Sequence, residues 1–128
     1  EKANEYFTNA KKLGANENYN LGVVAIQNGE YAEALKLFGN KKCDFNVALA
    51  QMLLEKYDEA NNNLSCANEN CKTNYLQAVI GARTDKADVV INHLTKAFEI
   101  NPKLKAKAAT DKEFIKYFAN EDFMNLVK

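Results

Sequence analysis

Gly29-Glu30-Tyr31-Ala32-Glu33-Ala34 returns as Glu55-Lys56-Tyr57-Asp58-Glu59-Ala60, and more loosely as Thr84-Asp85-Lys86-Ala87-Asp88-Val89-Val90. The two tyrosines lie 57 − 31 = 26 residues apart, and Ala87 takes the tyrosine's place 87 − 57 = 30 residues further on. Each phrase joins two amphipathic stretches. Tyr31, Ala34, Leu35 and Phe38 fall at i, i+3, i+4 and i+7, one stripe of a helix. Ala87, Val90, Ile91, Leu94, Ala97 and Phe98 form a longer stripe, and Phe45, Ala48, Leu49, Met52 and Leu53 another. Asn28-Gly29 stands between helical patterns and reads as a helix stop. Helix pairs that recur at a near-constant period mark a solenoid, because one pair cannot bury its apolar face alone.

Working outward, the pattern predicts helices over 2–13 (stopped by Gly14), 17–28 (stopped by Gly29), 31–39, 44–54, 57–66, 71–83 and 86–99 (stopped by Asn101-Pro102). Short helices follow near 102–109, 111–118 and 120–127. No period-two alternation points to strands. Short connections between helices require antiparallel hairpins. The expectation is therefore an all-α chain: one helix, about three degenerate hairpins, and short C-terminal capping helices.

The 128 residues suit one domain, and 47% apolar content supplies a core. Seventeen Lys+Arg balance 17 Asp+Glu. A nucleic-acid binder shows a basic excess, and this chain has none. No apolar run reaches the roughly 20 residues of a membrane span. The chain opens at Glu1 without initiator methionine or signal peptide, a start that fits either a mature fragment or an excised piece of a longer protein, so the start says little about compartment. Asparagine is abundant, and asparagine favours caps and turns.

The first copy carries a family likeness. Leu21-Gly22 followed by Gly29-x-Tyr31-x-x-Ala34-x-x-x-Phe38 resembles the small and large positions of a tetratricopeptide repeat (TPR), in order. Ala48, Tyr57, Ala60, Leu64 and Ala67 take those places in the second copy, and Ala78, Leu94, Ala97 and Pro102 in the third. The likeness covers residues 16–102, with repeats at about 16–39, 42–68 and 71–102. Spacings of 26 and 30 fall short of the family's usual period of about 34. The tail, 103–128, is similar to the closing segment after the last repeat of many bacterial TPR proteins: Lys105-Ala106-Lys107-Ala108-Ala109 leads into Asp111-Lys112-Glu113-Phe114, Phe118 and Glu121-Asp122-Phe123. The whole chain resembles TPR segments of cell-envelope proteins of Bacteroidales-type bacteria, which implies a periplasmic or surface address, with the cytoplasm as the alternative.

The resemblance implies a scaffold-like module that binds a protein or peptide in a groove lined by the first helix of each pair. It places Tyr19, Val23, Ile26 and Gln27 there from the first pair. It places Lys42, Phe45, Leu49 and Met52 there from the second, and Lys72, Tyr75, Val79 and Arg83 from the third. The plainer reading is that these residues are core, or that the tail fills the groove, leaving a structural spacer. Some TPR domains grip a C-terminal carboxylate with Lys and Asn. Tyr19 and Val23 stand where the first Lys and Asn would be needed, so that clamp is not expected.

Other candidates favour ordinary roles. The aromatic tail (Phe114, Tyr117, Phe118 and Phe123) reads as a cap over the last repeat, or as a sticky patch. Cys43, Cys66 and Cys71 read by default as three mostly buried thiols, although Cys66 could pair with Cys71 or with Cys43. His93 reads as a surface residue with no second ligand at metal-binding spacing. Asp58-Glu59 and Glu121-Asp122 suit helix starts. The glycosylation triplet Asn63-Leu64-Ser65 falls inside a predicted helix. No constellation of catalytic residues stands out, so neither enzyme activity, a cofactor, a metal nor a small-molecule substrate is expected.

Overall fold

The computed structural model describes residues 17–39 and 41–128, and every regular element among them is helical. The helix expected over 2–13 and its stop at Gly14 lie outside the described residues. The elements are α1 (17–27), α2 (Tyr31–Phe38), α3 (Phe45–Leu53), α4 (Tyr57–Cys66), α5 (Cys71–Arg83), α6 (Ala87–Ile100), α7 (Leu104–Thr110), a 3₁₀ helix (Lys112–Tyr117) and α8 (Glu121–Leu126). Each lies within a residue or two of its expected place.

The recurring phrase is a recurring turn. After α1, Gly29 N–H donates to the Ile26 carbonyl at 3.0 Å and Glu30 N–H to the Ala25 carbonyl at 2.8 Å. After α3, Glu55 N–H donates to Met52 (2.9 Å) and Lys56 N–H to Gln51 (2.8 Å). After α5, Asp85 N–H donates to Ala82 (3.4 Å) and Lys86 N–H to Gly81 (2.8 Å). This paired pattern is the Schellman stop, which needs a left-handed residue just past the helix. Gly29, Glu55 and Asp85 fill that position with φ of 80°, 64° and 59°. Two of the three thus carry a Cβ where the backbone favours glycine. Glu55→Gly is expected to raise stability by about 1 kcal/mol in denaturant melts, and Gly29→Ala to lower it by about as much. An unchanged midpoint for both would remove strain from this account.

The same register governs the packing. Three residues after the start of α2, α4 and α6 stand Ala34, Ala60 and Val90, all fully buried; four further on stand Phe38, Leu64 and Leu94, also buried. Nine residues before those starts, Gly22, Ala48 and Ala78 are buried too. Small residues let two helices close up, and a large one fills the space beside them.

The described residues divide into two compact units, the first ending at Asn63 and the second beginning at Leu64, with the boundary inside α4. In the first unit, Ala25, Ala34, Phe38, Val47 and Ala50 form the core, with Tyr19, Val23, Ile26, Leu35 and Leu37 packed against it. The Asp44 side chain caps α3 by accepting from Val47 N–H at 3.1 Å.

In the second unit α5 packs along α6 and against the 3₁₀ helix, while α6 also meets α7 and α8. Asn70 and Thr73 form a capping box at the start of α5, and Asn120 caps α8. The segment expected as a helix near 111–118 is 3₁₀, not α. The segment is kinked at Phe114 (φ −103°, ψ 15°), and it buries Phe114 and Tyr117 while leaving Ile115 and Phe118 outside.

Candidate functional site

The first two groups of groove residues lie in the first unit. Tyr19, Val23 and Ile26 of α1 are half-buried and lean on the core, while Gln27 is exposed. Lys42 is exposed, Phe45 and Leu49 are half-buried, and Met52 is buried. A polar cluster ties α1 to α3. The Tyr19 hydroxyl donates to the Asp44 carboxylate, 3.1 Å from each oxygen, and accepts from Asn46 Nδ2 at 2.7 Å. Lys41 Nζ sits 4.4 Å from the Tyr19 ring centre and 3.8 Å from Asp44 Oδ1. Burial, assisted by the Asp44 charge and opposed by the Asn46 hydrogen bond, raises the Tyr19 pKa above the ordinary phenol value. Tyr19 therefore stays a neutral donor that holds the start of α1 beside the start of α3.

The third group, on α5, meets the chain's own tail. Tyr75 and Val79 are buried, Arg83 is half-buried and Lys72 is exposed. Tyr75 Oη donates to Asp111 Oδ2 at 2.6 Å. Its ring meets Phe114 nearly edge-on, 5.6 Å between centres at 76°, and Lys107 Nζ lies 4.7 Å from the ring centre. Arg83 grips Glu113 with both prongs, Nε to Oε1 at 2.9 Å and Nη2 to Oε2 at 2.6 Å. Lys116 Nζ donates to the Ala82 carbonyl at 3.3 Å and pairs with Asp85. Desolvation, then the Asp111 hydrogen bond and charge, pushes the Tyr75 phenol far up, so it too remains a donor. The closing segment thus covers the α5 face that the family likeness would give to a partner.

Against known family models, curated proteins and solved structures, the chain shows no match. Among the described residues, no helix is long and apolar enough to cross a membrane, and no three His, Cys, Asp or Glu side chains gather as a metal site would require.

Two local expectations are corrected. His93 is not a plain surface residue. Its Nδ1 lies 3.0 Å from Oδ1 of Asn74, which is 1% exposed on α5. Asn74 Nδ2 donates in turn to Glu69 Oε1 (3.3 Å) and the Asn70 carbonyl (3.1 Å). The sequence signal was weak: α5 is enclosed on so many sides that a polar residue within it needs a partner, yet nothing local names His93. The pair borders a shallow polar pocket that Gln77 and Lys96 also line. Burial first, then Lys96, lowers the His93 pKa below 6.5, with Glu69 opposing. A histidine depressed on folding binds its proton more readily when unfolded. Its stabilising effect is present above the unfolded pKa and is lost as pH falls through 6.5 toward the folded value. Wild type is therefore expected to lose stability on acidification below about pH 6.5, and His93→Gln to lose less over the same window, read from urea midpoints. Parallel pH curves would rule out this role.

The cysteines differ as well. Cys43 and Cys66 are disulfide-bonded and Cys71 keeps a thiol, in place of three free thiols. The default failed because Cys43 and Cys66 are exposed at hairpin junctions, not packed in a core. Asn63 of the glycosylation triplet has its amide engaged: Oδ1 accepts from Cys43 N–H at 2.9 Å and Nδ2 donates to Gln51 at 2.7 Å.

Proposed function

We propose that the chain is a non-catalytic interaction module of the tetratricopeptide type, which holds a peptide or protein partner against the α1 and α3 face. One observation carries this reading: Tyr19 hydrogen-bonds to Asp44 and Asn46, so the first helices of consecutive pairs stand start to start beside half-exposed Phe45. Phe45, Leu49 and Val23 offer apolar contact there, with Lys42 and Gln27 exposed nearby in sequence, a composition suited to an amphipathic or extended peptide. The repeated Schellman turns and the small–large register support the family likeness.

Exposed, disulfide-bonded cysteines suit an oxidising compartment and so favour the bacterial cell envelope over the cytoplasm. A second reading, a structural spacer whose groove is filled by its own tail, draws support from the Tyr75–Asp111 and Arg83–Glu113 contacts.

The test is Phe45→Glu. Glu at the first position of α3 suits the helix dipole, so the fold is expected to survive by circular dichroism. A partner recovered with wild type from cells that make the protein is expected to be lost with the variant. Equal recovery by both would remove this face from the proposal.

A further inference from the structure

We infer that the α5 face is a recognition site for a segment of the pattern Asp-x-Glu-Phe, that Asp111-Lys112-Glu113-Phe114 is its resident occupant, and that an incoming acidic–aromatic peptide competes for the same place. The inference rests on reading the hairpins as peptide-holding units, and it assigns a partner chemistry to a face other than α1 and α3.

Each element of the phrase meets a dedicated group. The Asp111 carboxylate accepts from the Tyr75 hydroxyl at 2.6 Å. Glu113 receives the full fork of Arg83, a planar match that a single lysine could not make. Phe114 is wholly buried against the Tyr75 ring. Lys112, the unread position, is exposed. Two acids set two residues apart, followed by an aromatic, are thus read by a phenol, a guanidinium and an apolar slot. The tether gives the resident segment an effective concentration in the millimolar range, so a free peptide succeeds only when the polar latch is loosened or its own contacts are better.

Asp111→Asn/Glu113→Gln in the full chain loosens the latch and keeps Phe114 unsubstituted, so the segment lifts from the face in a larger fraction of molecules. Asn keeps the cap that Asp111 gives to Glu113 N–H, at 3.0 Å, so the 3₁₀ helix is expected to persist. The probe is a fluorescein-labelled peptide of residues 109–119, followed by anisotropy. It is expected to bind the latch variant at least about tenfold more tightly than wild type, because more of the face is free. Adding Arg83→Ala, or replacing the peptide's own glutamate with alanine, is expected to cancel that gain. If the double variant loses native circular dichroism, Glu113→Gln alone takes its place with the same expected ordering.

Equal affinity for wild type and latch variant, equal binding of a scrambled peptide, or no binding by a folded latch variant would each overturn the inference. Capture through Phe45 on α3 uses none of the substituted residues and is expected to persist, so the two readings fail separately.

Discussion

Phe114→Ala is expected to cost about 3–5 kcal/mol, the largest single loss in the second unit. Phe114 is fully buried, with ring centres of Tyr75 at 5.6 Å and Phe123 at 5.7 Å. Truncation removes the transfer free energy of the ring and leaves a cavity. The cavity cannot easily collapse, because Asp111 and Glu113, just before it in the chain, remain pinned to Tyr75 and Arg83. The loss should appear as a lower urea midpoint, together with faster amide exchange in α8, whose Phe123 leans on the same ring. Ile115→Ala is the control. Ile115, the next residue, is itself 63% exposed, so a change within about 0.5 kcal/mol is expected. Similar effects at the two positions would mean that the closing segment lies on α5 without anchoring there.

Gly22→Val is expected to destabilise the first unit by about 3 kcal/mol, through crowding and not through loss of contact. A Cβ at position 22 would stand 2.4 Å from Phe38 Cε1 and 2.7 Å from Cδ1. The Phe38 ring has little freedom to swing aside, because Tyr19 lies 5.0 Å away and is itself held by Asp44 and Asn46. A second branch on the β-carbon aggravates the clash, whereas Gly22→Ala would regain part of the cost through better helix propensity, about 1 kcal/mol. The diagnostic is a double-mutant cycle with Phe38→Ala. If the clash is the cause, the double variant should be more stable than the sum of the single losses by about 0.5–3 kcal/mol. Strict additivity would place the damage elsewhere in α1.

These two residues differ in how they could be found. Gly22 was legible because it sits nine residues before Tyr31, just as Ala48 and Ala78 sit nine before Tyr57 and Ala87. A repeated small residue opposite a repeated large one states a close helix contact before any coordinates. Phe114 was legible only as a capping aromatic. That it would seat on Tyr75, beside two acids gripped by groove residues, needed the structure. His93 and the disulfide-bonded Cys43 and Cys66 show the same limit, since each answers to a partner that no local pattern names.

By itself the sequence determined the helices from α1 onward, their order and the stop at Gly29, and it marked the stretches around Glu55 and Asp85 as repeats of the same phrase. Those features depend on stripes of side chains and on hydrogen bonds that close within five residues. The tertiary structure alone decided which face of α5 remains available, because the bonds that cover it join residues 36 and 30 positions apart. Contacts of that span leave no periodic trace in a chain, and arise only once packing has brought the tail back onto the last hairpin.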